Sequence, residues 1–346
     1  GVQQDKQKAI QFFQQAASMN NMNAVTNLAH CYFKGDGIPQ DKQKALKLYH
    51  QAAYMGDTDA MLNLGNCYLK GDGTVKDRTK AFRLCQRAAD LGNVDATFIL
   101  AHHYWNGDCT PQNKAKAIEL YQRAANMGHT YALLHLGICY LKGKGVLQNT
   151  ARGIELLHQA ANMSNTDAMV QLAKFYMKGE YVPQNMMRAV ELYQQAADLG
   201  HSHAMTMLGS FLWNGDGGPQ TKKKAIELYQ HAADLRNIYA MAILSFCYMN
   251  GDGVPQDEKK AIELYQRALD LGLTFGPSPA NEHNCEDTRD EKEIEKLIQL
   301  AKSRDIEALK CCPFLEENDY SDNSLSHVAS FIPGYQSHHG FCHEQS

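Results

Sequence analysis

The feature that most constrains this chain is a recurrence every 36 residues. Ala52 returns as Ala88, Ala124, Ala160, Ala196, Ala232 and Ala268. Gly35 returns as Gly71, Gly107, Gly143, Gly179, Gly215 and Gly251, and Ala60 as Ala96, Ala132, Ala168, Ala204 and Ala240. A fixed period of about 20 to 50 residues marks stacked supersecondary units, none of which can bury its apolar surface alone.

The stretch from Gly37 to Asp72 shows what each unit is. Asp41 precedes a run of good helix formers, with Pro39 just upstream, which is an N-terminal helix signal. Ala45, Leu48, Tyr49, Ala52 and Ala53 follow at i, i+3, i+4, i+7 and i+8, and so share one face. Gly56 ends this helix. Thr58 or Asp59 is expected to cap a second one, whose stripe is Ala60, Leu64, Gly65, Tyr68 and Leu69 and which stops at Gly71. The small residues let two helix backbones approach while Leu and Tyr fill the remaining volume. The fold expected is all-α: an α-solenoid of antiparallel helix pairs over residues 1–272. Seven pairs are counted, plus an eighth first helix containing Ala261, Tyr265 and Ala268.

Composition separates the rest. Residues 273–346 hold 14 acidic and 6 basic side chains, net −8, whereas the array carries 24 and 28, net +4. Pro277 and Pro279 stop the repeat where a second helix is due. Thr288 and Glu291 form a capping-box pattern ahead of Ile294, Leu297, Ile298 and Ala301, which predicts a capping helix near 288–303. The whole chain, at −4, carries no electrostatic footprint for nucleic acid. No run approaches the ~18 apolar residues of a membrane span. Gly1 to Asp5 match Gly37 to Asp41 in register, so the chain opens midway through a repeat and an upstream part is expected.

Four of the ten cysteines, Cys31, Cys67, Cys139 and Cys247, share one repeat position with His103, Phe175 and Phe211. A place that accepts Cys or Phe is an apolar packing site. Neighbouring units stand about 8–10 Å apart, beyond the ~7 Å reach of a disulfide. Core thiols are therefore predicted. Trp105 and Trp213 are likewise assigned to the core, since Phe33, Leu69, Leu141, Met177 and Met249 occupy their position. The Gly-Asp-Gly loops lack the acidic spacing and terminal Glu of a calcium loop. Neither His102 with His103 nor His201 with His203 has a third ligand at zinc spacing, and His338, His339, Cys342 and His343 are too crowded for a recognised finger. No metal or cofactor is expected.

These residues resemble the Sel-1-like repeat family, a branch of the tetratricopeptide-type helical repeats. The resemblance rests on the 36-residue unit and on Ala117, Leu120, Tyr121, Ala124, Ala125, Gly128, Ala132, Leu136, Gly137, Tyr140 and Gly143, repeated over residues 1 to 272. It implies a right-handed superhelix serving as a scaffold or adaptor for other proteins. In bacteria it also implies roles in secretion, envelope signalling or host-cell contact. A reducing compartment is favoured for the unpaired thiols, either bacterial cytoplasm or host cytosol after delivery. The periplasm stays open because the N-terminus is cut.

In the related architecture the first helices line the concave face, so their outward positions form columns. One reads Lys47, Arg83, Glu119, Glu155, Glu191, Glu227 and Glu263, and a second includes His50, Gln122, His158, Gln194 and Gln230. A third reads Tyr54, Asp90, Asn126, Asn162, Asp198, Asp234 and Asp270. Amide and imidazole groups can hydrogen-bond the backbone of an extended peptide while carboxylates select basic side chains. The bland alternative is a solvated face held by i,i+4 pairs such as Glu119 with Arg123. A protein or peptide partner is expected. The rival reading is an enzyme, because cysteine-rich relatives are linked to β-lactam binding and hydrolysis. Those relatives join the two helices of a repeat by a disulfide, whereas here the Cys column lies on the second helix alone. No catalytic motif is present.

Overall fold

A computed structural model of the chain describes residues 2–214 and 219–273. Among them lie fifteen α-helices and no strand. They are α1 (Val2–Ser18), α2 (Met22–Lys34), α3 (Lys42–Met55), α4 (Thr58–Lys70), α5 (Arg78–Asp90), α6 (Val94–Asn106), α7 (Lys114–Asn126) and α8 (Thr130–Lys142). There follow α9 (Thr150–Asn162), α10 (Thr166–Lys178), α11 (Met186–Asp198), α12 (Ser202–Asn214), α13 (Pro219–Asp234), α14 (Ile238–Asn250) and α15 (Glu258–Asp270). Two compact units meet in sequence within α9, the first running to Gln159 and the second starting at Ala160. In each unit consecutive helices pack on one another. The all-α helical-repeat fold expected from the periodicity is thus the fold of the chain.

The core follows the register. Ala45, Tyr49, Ala52 and Ala53 of α3 are buried, as are Ala60, Leu64, Gly65 and Tyr68 of α4, while Leu48 and Leu69 are half-buried. The tyrosine position is among the most deeply enclosed, with Tyr49 and Tyr121 in the first unit and Tyr193, Tyr229 and Tyr265 in the second all at most 2 % exposed. Burial holds the Tyr193 hydroxyl above the ordinary phenol range.

Local chemistry sets the helix ends. Asp41 caps α3 by accepting from the Lys44 amide, and Gly56 follows its last residue with φ +99°. The cap of α4 is Asp57, not Thr58 or Asp59: its Oδ1 accepts from the Asp59 and Ala60 amides, which places Thr58 inside the first turn. A carboxylate two or three residues before the free amides reaches them, whereas one inside the turn does not. Gly71 ends α4 at φ +78° and donates to the Cys67 carbonyl.

The seven-residue loops between pairs repeat one design. In Gly35–Asp41, Gln40 Nε2 donates to the Phe33 carbonyl at 2.8 Å and the Asp41 amide donates to the Tyr32 carbonyl at 2.9 Å. Gln112, Gln148, Gln184 and Gln256 make the same bond to Trp105, Leu141, Met177 and Met249. The Pro-Gln-Asp motif therefore closes one helix and opens the next. Trp105 and Trp213 are half-buried, under Lys114 at 5.5 Å and Lys222 at 4.9 Å.

Cys67, Cys85, Cys139 and Cys247 are buried and outside any disulfide; Cys31 and Cys109 are partly exposed. Burial pushes Cys67 and Cys247 up to about 12, so these thiols stay protonated and inert. Gly215, the acidic tail, the helix expected near 288–303 and the His/Cys group near the C-terminus lie outside the described residues.

Candidate interaction surface

The outward positions of the first helices are built by default, since the opposite face of each is spent on the core. In the first unit Lys47, Arg83, Glu119 and Glu155 are exposed. Gln122 Nε2 donates to Asn126 Oδ1 at 2.9 Å, one turn along α7. Arg152 Nη1 stands 2.8 Å from Glu155 Oε2, and Gln159 Nε2 reaches Glu155 Oε1 at 3.4 Å. His158 is half-buried. Arg123 does not turn to Glu119; its Nη2 donates to the Ala89 carbonyl at 3.0 Å, tying α7 to the end of α5.

The same unit carries a basic column beside these residues. Lys44, Lys80 and Lys116 lie over the rings of Tyr32, Tyr68 and Tyr104 at 4.3, 5.3 and 5.1 Å. Cation–π contact holds each ammonium against the preceding second helix. His50 Nε2 is 3.1 Å from the Tyr68 hydroxyl.

In the second unit Asn162, Glu191, Gln194, Asp198 and Glu227 are exposed and Gln230 is half-buried. Arg188 Nη1 pairs with Glu191 Oε2 at 2.8 Å. Gln194 Nε2 donates to Asp198 at 2.8 Å, Gln230 to Asp234 at 3.3 Å and Gln266 to Asp270 at 3.3 Å. Each amide thus fixes the carboxylate one turn on. Lys260 Nζ bonds the Tyr248 hydroxyl at 2.8 Å, which raises its pKa.

A ladder that the sequence reading missed runs along the second helices. The caps Asp57, Asn93, His129, His201 and Asn237 also bond the N-terminal half of the second helix one repeat earlier. Thr26 Oγ1 donates to Asp57 Oδ2 at 2.6 Å, and Asn93 Nδ2 to Thr58 Oγ1 at 3.0 Å and Asp59 Oδ1 at 3.1 Å. His129 Nε2 meets Asp95 at 3.5 Å. In the second unit His201 Nε2 meets Asp167 at 3.1 Å and Asn237 Nδ2 reaches Ser202 Oγ at 3.4 Å. Because His129 and His201 accept backbone N–H groups on Nδ1, each is the tautomer that donates from Nε2. The column Asn21, Asp57, Asn93, His129, Asn165, His201, Asn237 was the available signal: each member precedes the expected cap, and each can accept.

Three histidines, His102, His103 and His203, are core residues. His102 packs edge-on to Phe98 at 4.8 Å and to His135 at 4.7 Å. Burial, with His135, His103 and His129 nearby, holds it well below the ordinary imidazole range; burial lowers His103 also. His203 is brought down to about 3, chiefly by burial, with Lys174 and His201 adding to it. These rings are neutral packing groups. Among the described residues no cluster of three His, Cys, Asp or Glu side chains could hold a metal ion. No described helix is long and apolar enough to cross a membrane.

Paired helices with buried small residues and polar outward columns define an all-α helical-repeat protein. The profile of the Sel1 repeat matches residues 1–21, 23–57, 58–93, 94–129, 130–165, 166–201, 202–237 and 238–273, and the chain belongs to that family. A Sel1 repeat protein from Oxalobacter formigenes is similar in structure, with a TM-score of 0.61 at 24 % identity over 83 % of this chain and 79 % of that one. The protective antigen c5321 of uropathogenic Escherichia coli gives a TM-score of 0.51 at 20 % identity over 98 % of this chain and 85 % of that one. At these identities the likeness concerns the fold. A search of curated proteins finds no match. Sel1 repeats generally serve as protein-interaction scaffolds without catalysis.

Proposed function

We propose that the chain binds a partner protein or an extended peptide through the outward columns of its first helices. Glu119, Gln122, Asn126, Glu155 and His158 supply the surface in the first unit; Asn162, Glu191, Gln194, Asp198, Glu227 and Gln230 supply it in the second. The observation that supports this most is the selective constancy of the exposed positions. Glu occupies the first column in five successive repeats from Glu119 to Glu263, although exposure alone places no demand on it. Amides that hold carboxylates in fixed rotamers, as Gln194 holds Asp198, lower the entropy lost when a basic side chain docks. Cysteines outside any disulfide in place of helix-linking bridges, among the described residues, give the β-lactam reading no support.

The test is capture of a partner by the full chain and by a Glu155→Lys, Glu191→Lys, Glu227→Lys variant. Reduced capture of a basic partner with an unchanged helical circular-dichroism signal is expected; equal capture removes the proposal. Identification of the captured protein then assigns the chain to secretion, signalling or host contact, the settings that the resemblance implies.

A further inference from the structure

The first helices end at or just before a periodic apolar position that the polar columns do not use. Met19, Met55, Leu91 and Met127 in the first unit, and Met163, Leu199, Leu235 and Leu271 in the second, recur every 36 residues. A residue inside the packed core would be covered, yet Leu199 and Leu235 are each 53 % exposed. Larger exposed apolar patches rimmed by polar residues mark interaction sites.

The two units differ in what flanks the strip. In the first, Ser18, Tyr54, Asp90 and Asn126 precede the apolar residues. In the second, Asp198, Asp234 and Asp270 precede Leu199, Leu235 and Leu271, and all three carboxylates are exposed. Two turns back on the same helices stand the exposed Glu191, Glu227 and Glu263. α11 and α13 are therefore each followed by an exposed leucine next to an exposed aspartate, whereas Leu271 after α15 is half-buried against the core.

We infer that this strip receives a cationic, apolar segment of a partner protein: an extended peptide with an apolar side chain at every third residue and Lys or Arg between. The inference rests on the interaction-surface reading and names the ligand class for its second-unit half. Spacing and charge both select this ligand. One helix-packing distance is about 8–10 Å, and three residues of extended chain cover about 10 Å. An apolar side chain at every third position thus meets Leu199 and then Leu235, while the intervening basic side chains face Asp198, Asp234 and Glu227. An acidic or purely polar segment is repelled or gains nothing from the leucines.

Fluorescence anisotropy with the full chain and a labelled peptide of leucines at every third position, separated by lysine pairs, tests this. Binding about tenfold tighter than that of the same peptide with Leu→Gln, and of the same peptide with Lys→Glu, is expected. Leu199→Gln with Leu235→Gln weakens binding about fivefold or more, with an unchanged circular-dichroism spectrum. Should that pair disturb the fold, the isosteric Asp198→Asn with Asp234→Asn provides the second readout: weaker binding and a shallower dependence on salt. Affinity untouched by the leucine changes but abolished by Glu191→Lys with Glu227→Lys overturns the strip and leaves the carboxylate surface standing. Failure of the wild-type chain to bind the cationic peptide overturns the strip outright, while partner capture still judges the surface reading separately.

Discussion

Gly137 of α8 and Gly153 of α9 meet backbone to backbone: a Cβ on Gly137 would stand 3.0 Å from the Gly153 carbonyl oxygen, and one on Gly153 would stand 2.9 Å from that of Gly137. The same pair of positions reads Ala29 with Ala45, Gly65 with Ala81 and Ala101 with Ala117 elsewhere in the first unit. Leu141 closes the space, 2.7 Å from where a Gly153 Cβ would lie. Helix separation in this array is therefore set by side chains of one or no carbon.

Gly153→Ala is expected to destabilise the protein by up to about 2 kcal/mol, because overpacking costs ~1–3 kcal/mol and better helix propensity returns about 1. Gly65→Ala has ordinary contact, with Ala81 O at 3.5 Å, and should be neutral or stabilising by up to ~1 kcal/mol. Thermal unfolding of the two variants checks the contrast; equal shifts would show that close approach does not limit this site.

Asp57→Ala removes a helix cap and the bond from Thr26 together, and a loss of about 1–2 kcal/mol is expected from the capping term. Asp57→Asn retains an acceptor for the Ala60 amide, as Asn21 does for Ala24, and should lose less than half as much. Chemical denaturation of the two variants measures this, and equal losses would deny the cap its role.

His203 gives the protein an acid sensitivity of known sign. Its native pKa, about 3, lies below the unfolded value near 6.5, so the unfolded chain takes up a proton that the native one refuses. The stability it contributes is complete above about pH 6.5 and is lost as pH falls toward 3, by up to ~1.4 kcal/mol per pH unit. His203→Tyr, the residue at the equivalent Tyr131 and Tyr239, should flatten the fall of Tm between pH 6.5 and 4. An unchanged slope would place the sensitivity elsewhere.

The fold was legible because the constraint is written many times over. Ala52 alone is weak evidence for a buried helix, but its return in six further repeats leaves solvent-facing alternatives without a cause. Asp41 is legible as the first-helix cap, but the second-helix cap lies one or two residues before the expected Thr58 or Asp59 for a physical reason: both are good cap types, and only the reach of Asp57 Oδ1 to two amides decides among them. The inter-repeat bonds of the caps were invisible because they join residues 31 to 35 apart whose side chains meet only after the helices stack. Of the candidate surface, exposure followed from the stripe on the opposite face. The pairing did not: Arg123 turns to Ala89 rather than Glu119 because the end of the neighbouring helix presents a carbonyl there. The Met and Leu strip was available as a period in the sequence, yet apolar residues before a helix-ending glycine read as core until exposure is known.

The central claim is that partners dock on the outward face of the first helices, and crosslink mapping after affinity capture with the full chain tests it most directly. The account predicts partner crosslinks on α7, α9, α11 and α13, at or beside the columns of Glu119 and Gln122. Crosslinks confined to the second helices, or to the glycine loops, would contradict it.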